Sequence, residues 1–147
     1  MTRNRAAAAM LIIGLWGAVP AGAACSTFSI ISVVFGTYNT LSATSLDGAG
    51  SVTVSCDSGD SYTIDLSSGQ GTFAARKLES GANVMYYNLF TDAQRSVIWG
   101  DGTGSTGLVS GGGTGTSITY TVYGRIPGGQ NLPAGSYSDM ITVTLNF

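Results

Sequence analysis

Between Ile141 and Phe147 the chain alternates without a break. Ile141, Val143, Leu145 and Phe147 are apolar, and Thr142, Thr144 and Asn146 between them are polar. Successive side chains of an extended strand point to opposite faces, so this segment has one face for a core and one for water. Pro133, Gly135 and Ser136 punctuate the chain just before it. The strand runs to the last residue with no polar tail. It must therefore find its remaining neighbour earlier in the chain or in another molecule.

Residues 1–24 read as a secretory signal peptide. Arg3 and Arg5 form a basic start, Ala6 to Val19 an apolar run, and Ala21-Gly22-Ala23 a small-residue cleavage pattern. The apolar run is short for a bilayer span. Acylation of Cys25 is disfavoured because Gly22 stands where such motifs carry Leu or Val. Residues 25–147 then form one domain of ordinary size.

Export permits disulfides, and Cys25 and Cys56 are the only cysteines. Their pairing would close a loop of about 32 residues and add roughly 3–4 kcal/mol of stability. Without the signal, Arg76, Lys77, Arg95 and Arg125 face eight carboxylates. That acidic balance argues against nucleic acid, whose binding needs clustered cations. An apolar content of 44% with 10% charged residues argues against disorder.

Taken in order, Thr27 to Phe35 is a strand rich in β-branched residues, and Gly36 to Gly50 a loop. Ser51–Cys56 and Ser61–Leu66 alternate on either side of the Asp57-Ser58-Gly59-Asp60 turn, which predicts a hairpin. Ser67 to Asn83 reads as a Gly-rich connection, Val84 to Thr91 as an aromatic strand, and Ser96 to Trp99 as a short one. Gly100 to Gly115 reads as a long loop, and Ser117 to Arg125 as a strand. No stretch has helical periodicity. Six or seven strands joined by turns predict an all-β sandwich.

Chemistry is scarce. The chain has no His, the commonest general base and transition-metal ligand. Lys77 has no motif around it, and the acids have no spacing that suggests glycosidase work. Trp99-Gly100-Asp101-Gly102 lacks the further aspartates of a calcium loop and reads as a turn. Tyr86-Tyr87-Asn88-Leu89-Phe90 reads as a central strand packed on both faces rather than a sugar platform. Arg125 reads as a strand-end charge, with a structural ion pair as the sharper option. No catalytic residue, metal site or small-molecule cofactor is expected.

An ordered set of stretches carries a resemblance. It comprises Phe35-Gly36-x-Tyr38, Ser51 to Cys56, Arg76-Lys77-Leu78 and Met85-Tyr86-Tyr87-Asn88-Leu89. It continues through Trp99-Gly100-Asp101-Gly102, Tyr123-Gly124-Arg125-Ile126-Pro127, Gly135-x-Tyr137-x-Asp139 and Val143 to Phe147. This order resembles the spore coat protein U domain family, which includes subunits of archaic chaperone–usher pili of Gram-negative bacteria. The resemblance implies an incomplete immunoglobulin-like sandwich lacking its final strand. A periplasmic chaperone fills the groove first. A neighbouring pilin subunit replaces it at an outer-membrane usher, by strand addition. Ile141, Val143, Leu145 and Phe147 should line one wall of the acceptor groove. Ile30 and Val34, in the first strand, should line the other.

Polymerising subunits of that family carry an apolar donor segment ahead of the first cysteine. Here Cys25 follows the cleavage site almost directly, which suggests a tip or capping subunit. The expected function is therefore non-enzymatic: a secreted adhesive or structural subunit that passes through the periplasm to the cell surface. The alternatives are a self-standing glycan- or surface-binding module and a spore or cyst coat protein.

Overall fold

The computed structural model describes Gly22 and residues 24–147, so apart from Gly22 and Ala24 the segment read as a signal peptide lies outside the described residues. The described residues form eight strands and no helix. They are β1 (Cys25–Val34), β2 (Leu46–Cys56), β3 (Ser61–Leu66), β4 (Arg76–Ser80), β5 (Asn83–Phe90), β6 (Val109–Gly112), β7 (Ser117–Ile126) and β8 (Val143–Asn146). Five of them make one antiparallel sheet in the order β1-β2-β7-β5-β4, and three make a second in the order β6-β3-β8. The core lies between the two sheets, as in an immunoglobulin-like sandwich.

The alternation seen in the sequence decides which way β2 and β3 face. Val52, Val54 and Cys56 of β2 are buried, as are Tyr62, Ile64 and Leu66 of β3. The expected hairpin between those strands does not form. β2 pairs with β1 and β7, whereas β3 pairs with β6 and β8. The chain between Cys56 and Ser61 crosses from one sheet to the other, so the two apolar faces look at each other through the core. Gly113, just after β6, holds that crossing. Its amide donates to Asp60 O at 2.6 Å, and its carbonyl accepts from Gly59 N at 3.0 Å. Alternation specifies a face but not a partner, and both arrangements satisfy it.

Other boundaries move for related reasons. The Gly-rich connection after Ser67 contains β4, in which Arg76 and Leu78 face inward. Gly100 to Gly115 contains β6, and the loop after Phe35 ends at Leu46, where β2 begins. Ser96 to Trp99 forms only isolated bridges, Phe90 with Ile98 and Trp99 with Gly107. The final strand is shorter than its alternation, running only from Val143 to Asn146.

Trp99 and a tyrosine pair join the sheets, and one buried charge ties together the segments around them. Trp99 is fully buried; its backbone amide donates to Leu89 O at 2.9 Å, and its indole Nε1 to Ile64 O at 2.9 Å. One residue thus bonds a strand of each sheet, β5 through its backbone amide and β3 through its indole. Tyr62 of β3 and Tyr120 of β7 meet hydroxyl to hydroxyl at 2.7 Å. Arg76 is 0% exposed, and its guanidinium donates to Ser67 O from both Nε and Nη2, to Trp99 O at 2.7 Å and to Asn88 Oδ1 at 2.7 Å. Burial lowers its pKa, opposed through space by Tyr87 and Asp139. On the outer face, Arg125 makes the ion pair considered from sequence: a bidentate contact with Asp47 at 2.7 and 2.9 Å, directly across the β2–β7 ladder. Both partners are partly exposed, so the pair adds little stability.

Cys25 and Cys56 form the disulfide and lie opposite each other in the β1–β2 register. β1 then bends. Its register slips between Ile31 and Val34, and its backbone there crosses so close over Gly50 that any β-carbon would overlap Ile31 O. The slip turns Val33 and Phe35 inward. Both pack against the core, and Phe35 meets Tyr87 edge to face at 5.9 Å.

Two measurements test this core. Arg76→Met should lower stability by about 3 kcal/mol in urea unfolding, because it leaves the carbonyls of Ser67 and Trp99 without their guanidinium donors and Asn88 Oδ1 with the Leu89 amide alone; a loss near zero would show the network to be dispensable. Burial, followed by the bond to Tyr120, pushes the Tyr62 hydroxyl from 10.0 up to about 12. A group whose folded pKa is raised contributes fully below its unfolded value and loses that contribution as pH rises through the folded one. Stability should therefore fall between pH 10 and about 12, and Tyr62→Phe should remove that part of the decline.

Candidate strand-acceptor groove

β1 ends the five-stranded sheet and pairs only with β2; β8 ends the three-stranded sheet and pairs only with β3. Among the described residues, each therefore has one edge with unpaired backbone donors and acceptors. Side-chain exposure tells the same story. Phe28 and Ile30 lie opposite Val54 and Val52 in the ladder, so they share a core-facing side with residues that are 0% exposed. Yet Phe28 is 41% exposed and Ile30 50%. They face the core at a place that the described residues leave half open.

Two clefts open between these edges. The smaller, about 160 Å³, is walled by Ile30 and Val33 on one side and by Ile141 and Val143 on the other, with Leu66 and Val122 among its lining. The larger, about 730 Å³, lies between the Val33–Tyr38 segment and the Leu132–Asp139 segment. Val33, Phe35, Leu78 and Asp139 line both, so the two are successive parts of one groove.

The structure brings together Ile30, Ile141 and Val143 of the expected wall residues. Val34 is 75% exposed and lines the larger cleft only, because the register slip gives its inward place to Val33. Leu145 pairs opposite buried Ile64 and packs on the core without lining either cleft. Phe147 is 59% exposed and also lies outside both clefts.

Alternation could not identify the polar side chains that hold the groove's far wall. Asp139 Oδ2 accepts the Tyr87 hydroxyl at 2.7 Å, while Oδ1 accepts the amides of Gln70 at 3.0 Å and Met140 at 2.7 Å. Gly69, with φ of 63°, leaves room for this carboxylate, which any β-carbon there would overlap. Burial and then the Asp139 bond push the Tyr87 hydroxyl well above its ordinary range, so it remains a donor. Farther along, Ser67 N donates to Thr142 O at 2.9 Å and Thr142 N to Ser67 Oγ at 2.9 Å. The segment leading into β8 thus hangs on the Ser67–Gln70 turn. The only sequence signal for these residues was their place in the resemblance, in Gly135-x-Tyr137-x-Asp139 and Met85-Tyr86-Tyr87-Asn88-Leu89.

Among the described residues no three His, Cys, Asp or Glu side chains come together. Asp101, the acid of the Trp99–Gly102 turn, accepts from Thr103 N at 2.9 Å and Thr103 Oγ1 at 2.6 Å. Those bonds close a local turn and lower its pKa.

Comparison with known proteins agrees with this geometry. Residues 18–144 match the model of the Spore Coat Protein U domain. Protein U of Myxococcus xanthus is 34% identical over 145 residues, spanning 86% of this chain and 79% of that protein. Among solved structures, the fold is similar to the CsuC–CsuE chaperone–tip adhesion subunit pre-assembly complex from archaic chaperone–usher Csu pili of Acinetobacter baumannii. The TM-score is 0.63 at 21% identity, and the match covers 85% of this chain but 40% of the length of that one. A family match over most of the chain, together with a relative of this identity and coverage, leaves one conclusion: the chain belongs to the Spore Coat Protein U domain family.

Proposed function

We propose that this protein is a structural subunit of a secreted surface assembly of the archaic chaperone–usher type. Its sandwich is completed by a β-strand from another polypeptide. The observation that supports this most is the half-exposure of Phe28 and Ile30 on the core-facing side of β1, across a groove from the free edge of β8. A donated strand satisfies both edges with main-chain hydrogen bonds and inserts alternate side chains into the clefts. The donors fitting this reading are a periplasmic chaperone before assembly and a neighbouring subunit after it, exchanged at an outer-membrane usher. Residues 1–24 then serve as the export signal, and residues 25–147 as the assembled domain.

If maturation removes residues 1–24, the chain begins at a cysteine already held in β1 by its disulfide. No residue is then left ahead of it to donate, and the subunit occupies a tip or cap. N-terminal sequencing of secreted protein decides this: ten or more residues ahead of Cys25 would overturn it. The match to the Spore Coat Protein U domain supports a second reading, a coat component completed by the same strand addition. Immunogold labelling separates fibres from a continuous coat.

The test is co-expression with a periplasmic chaperone of the archaic chaperone–usher type. Wild-type chain should co-purify with it, and chain expressed alone should aggregate or be degraded. Val143→Asp should abolish capture, since it places an unpaired charge in the smaller cleft. A soluble wild-type monomer that captures no chaperone would sink the proposal.

A further inference from the structure

A strand of alternating apolar residues has no unique register in a uniform apolar groove. A slip by two residues keeps every side chain on its proper face. The groove here is not uniform. Of all the described residues lining either cleft, Asp139 is the one charged side chain, and it lines both, at their junction. Its carboxylate takes three donors, from Tyr87, Gln70 and Met140. Two carboxylate oxygens offer about four acceptor positions, so one is left. The nearby guanidinium of Arg76 acts on it through space but is committed to Ser67 O, Trp99 O and Asn88 Oδ1.

Asp139 is half-buried while the groove is open. A wholly apolar strand laid over it would strip the remaining water from an ionised group without replacing it, which is strongly unfavourable. A cation at that one point restores the lost interaction and is itself compensated. Resting on the strand-acceptor reading above, we propose that the strand completing this sandwich breaks its apolar alternation once. It would carry a lysine or arginine opposite Asp139, and that pair would set its register. Slipping by two residues would then cost twice. It would put an apolar side chain on the carboxylate and a charge in an apolar cleft.

The test uses the full-length mature chain and fluorescent peptides of alternating Val and Thr. In the series, each core-facing Val is replaced in turn by Lys and then by acetyl-lysine. The expected result is one position at which Lys binds about tenfold tighter than acetyl-lysine, with the advantage shrinking in high salt and vanishing in Asp139→Asn. Acetyl-lysine changes only the peptide, so the comparison holds even if the Asp139 variant fails to fold. Equal binding of the Lys and acetyl-lysine peptides at every position would overturn the register pair while leaving strand acceptance intact. Failure of the all-Val parent and of every Lys peptide to bind would overturn strand acceptance itself, and this inference with it.

Discussion

A sandwich must cover the inner face of both its sheets, and here five strands are faced by three. The mismatch falls at the β1 edge, where core-facing Phe28 and Ile30 remain half in water. Full burial of such a side chain is worth about 1.5–3 kcal/mol relative to full exposure. Each main-chain bond gained along a free edge adds a net ~1 kcal/mol. A strand of several residues therefore offers a gain comparable with the whole stability of a small domain, about 5–15 kcal/mol. That magnitude is why the proposed strand addition centres on the open groove.

The groove is held in shape before anything fills it. The disulfide clamps the start of β1 to the end of β2, and Asp57 N donates to Ala24 O at 2.9 Å beside it. At the other end of β1, the close pass over Gly50 draws Val33 and Phe35 inward. The far wall depends on the turn at Ser67–Gln70, which binds Asp139 and Thr142. A preformed site spares an incoming strand the cost of ordering its acceptor.

Arg76 connects that wall to the core. Its bonds to Ser67 O and Trp99 O tie the turn carrying the wall to the tryptophan that joins the sheets. Asn88, beside Tyr87 in β5, completes the set by accepting from Arg76 and donating to Phe73 O at 2.8 Å. A buried guanidinium is costly unless nearly every donor is used, so the network fixes one arrangement of these loops and disfavours others. The outer Asp47–Arg125 pair has no comparable influence, because water screens it.

Much of the strand content could be read from alternation alone. It placed Val52, Val54, Ile64 and Leu66 in the core and set the inward face of Val143 and Leu145, while a count of two gave the cysteines one possible partner each. It could not give sheet membership, because the turn at Asp57–Asp60 serves equally for a hairpin and for a crossing between sheets. Nor could it show the slip in β1 that exchanges Val34 for Val33, since a bulge depends on the backbone packing over Gly50. The polar wall built from Asp139, Tyr87 and Arg76 was equally hidden. Those residues lie far apart in the chain, and only the fold determines that a charge is buried, which carbonyls it meets and which groove it borders. Face is a local property with a period of two residues; partners, register and burial belong to the assembled sheets.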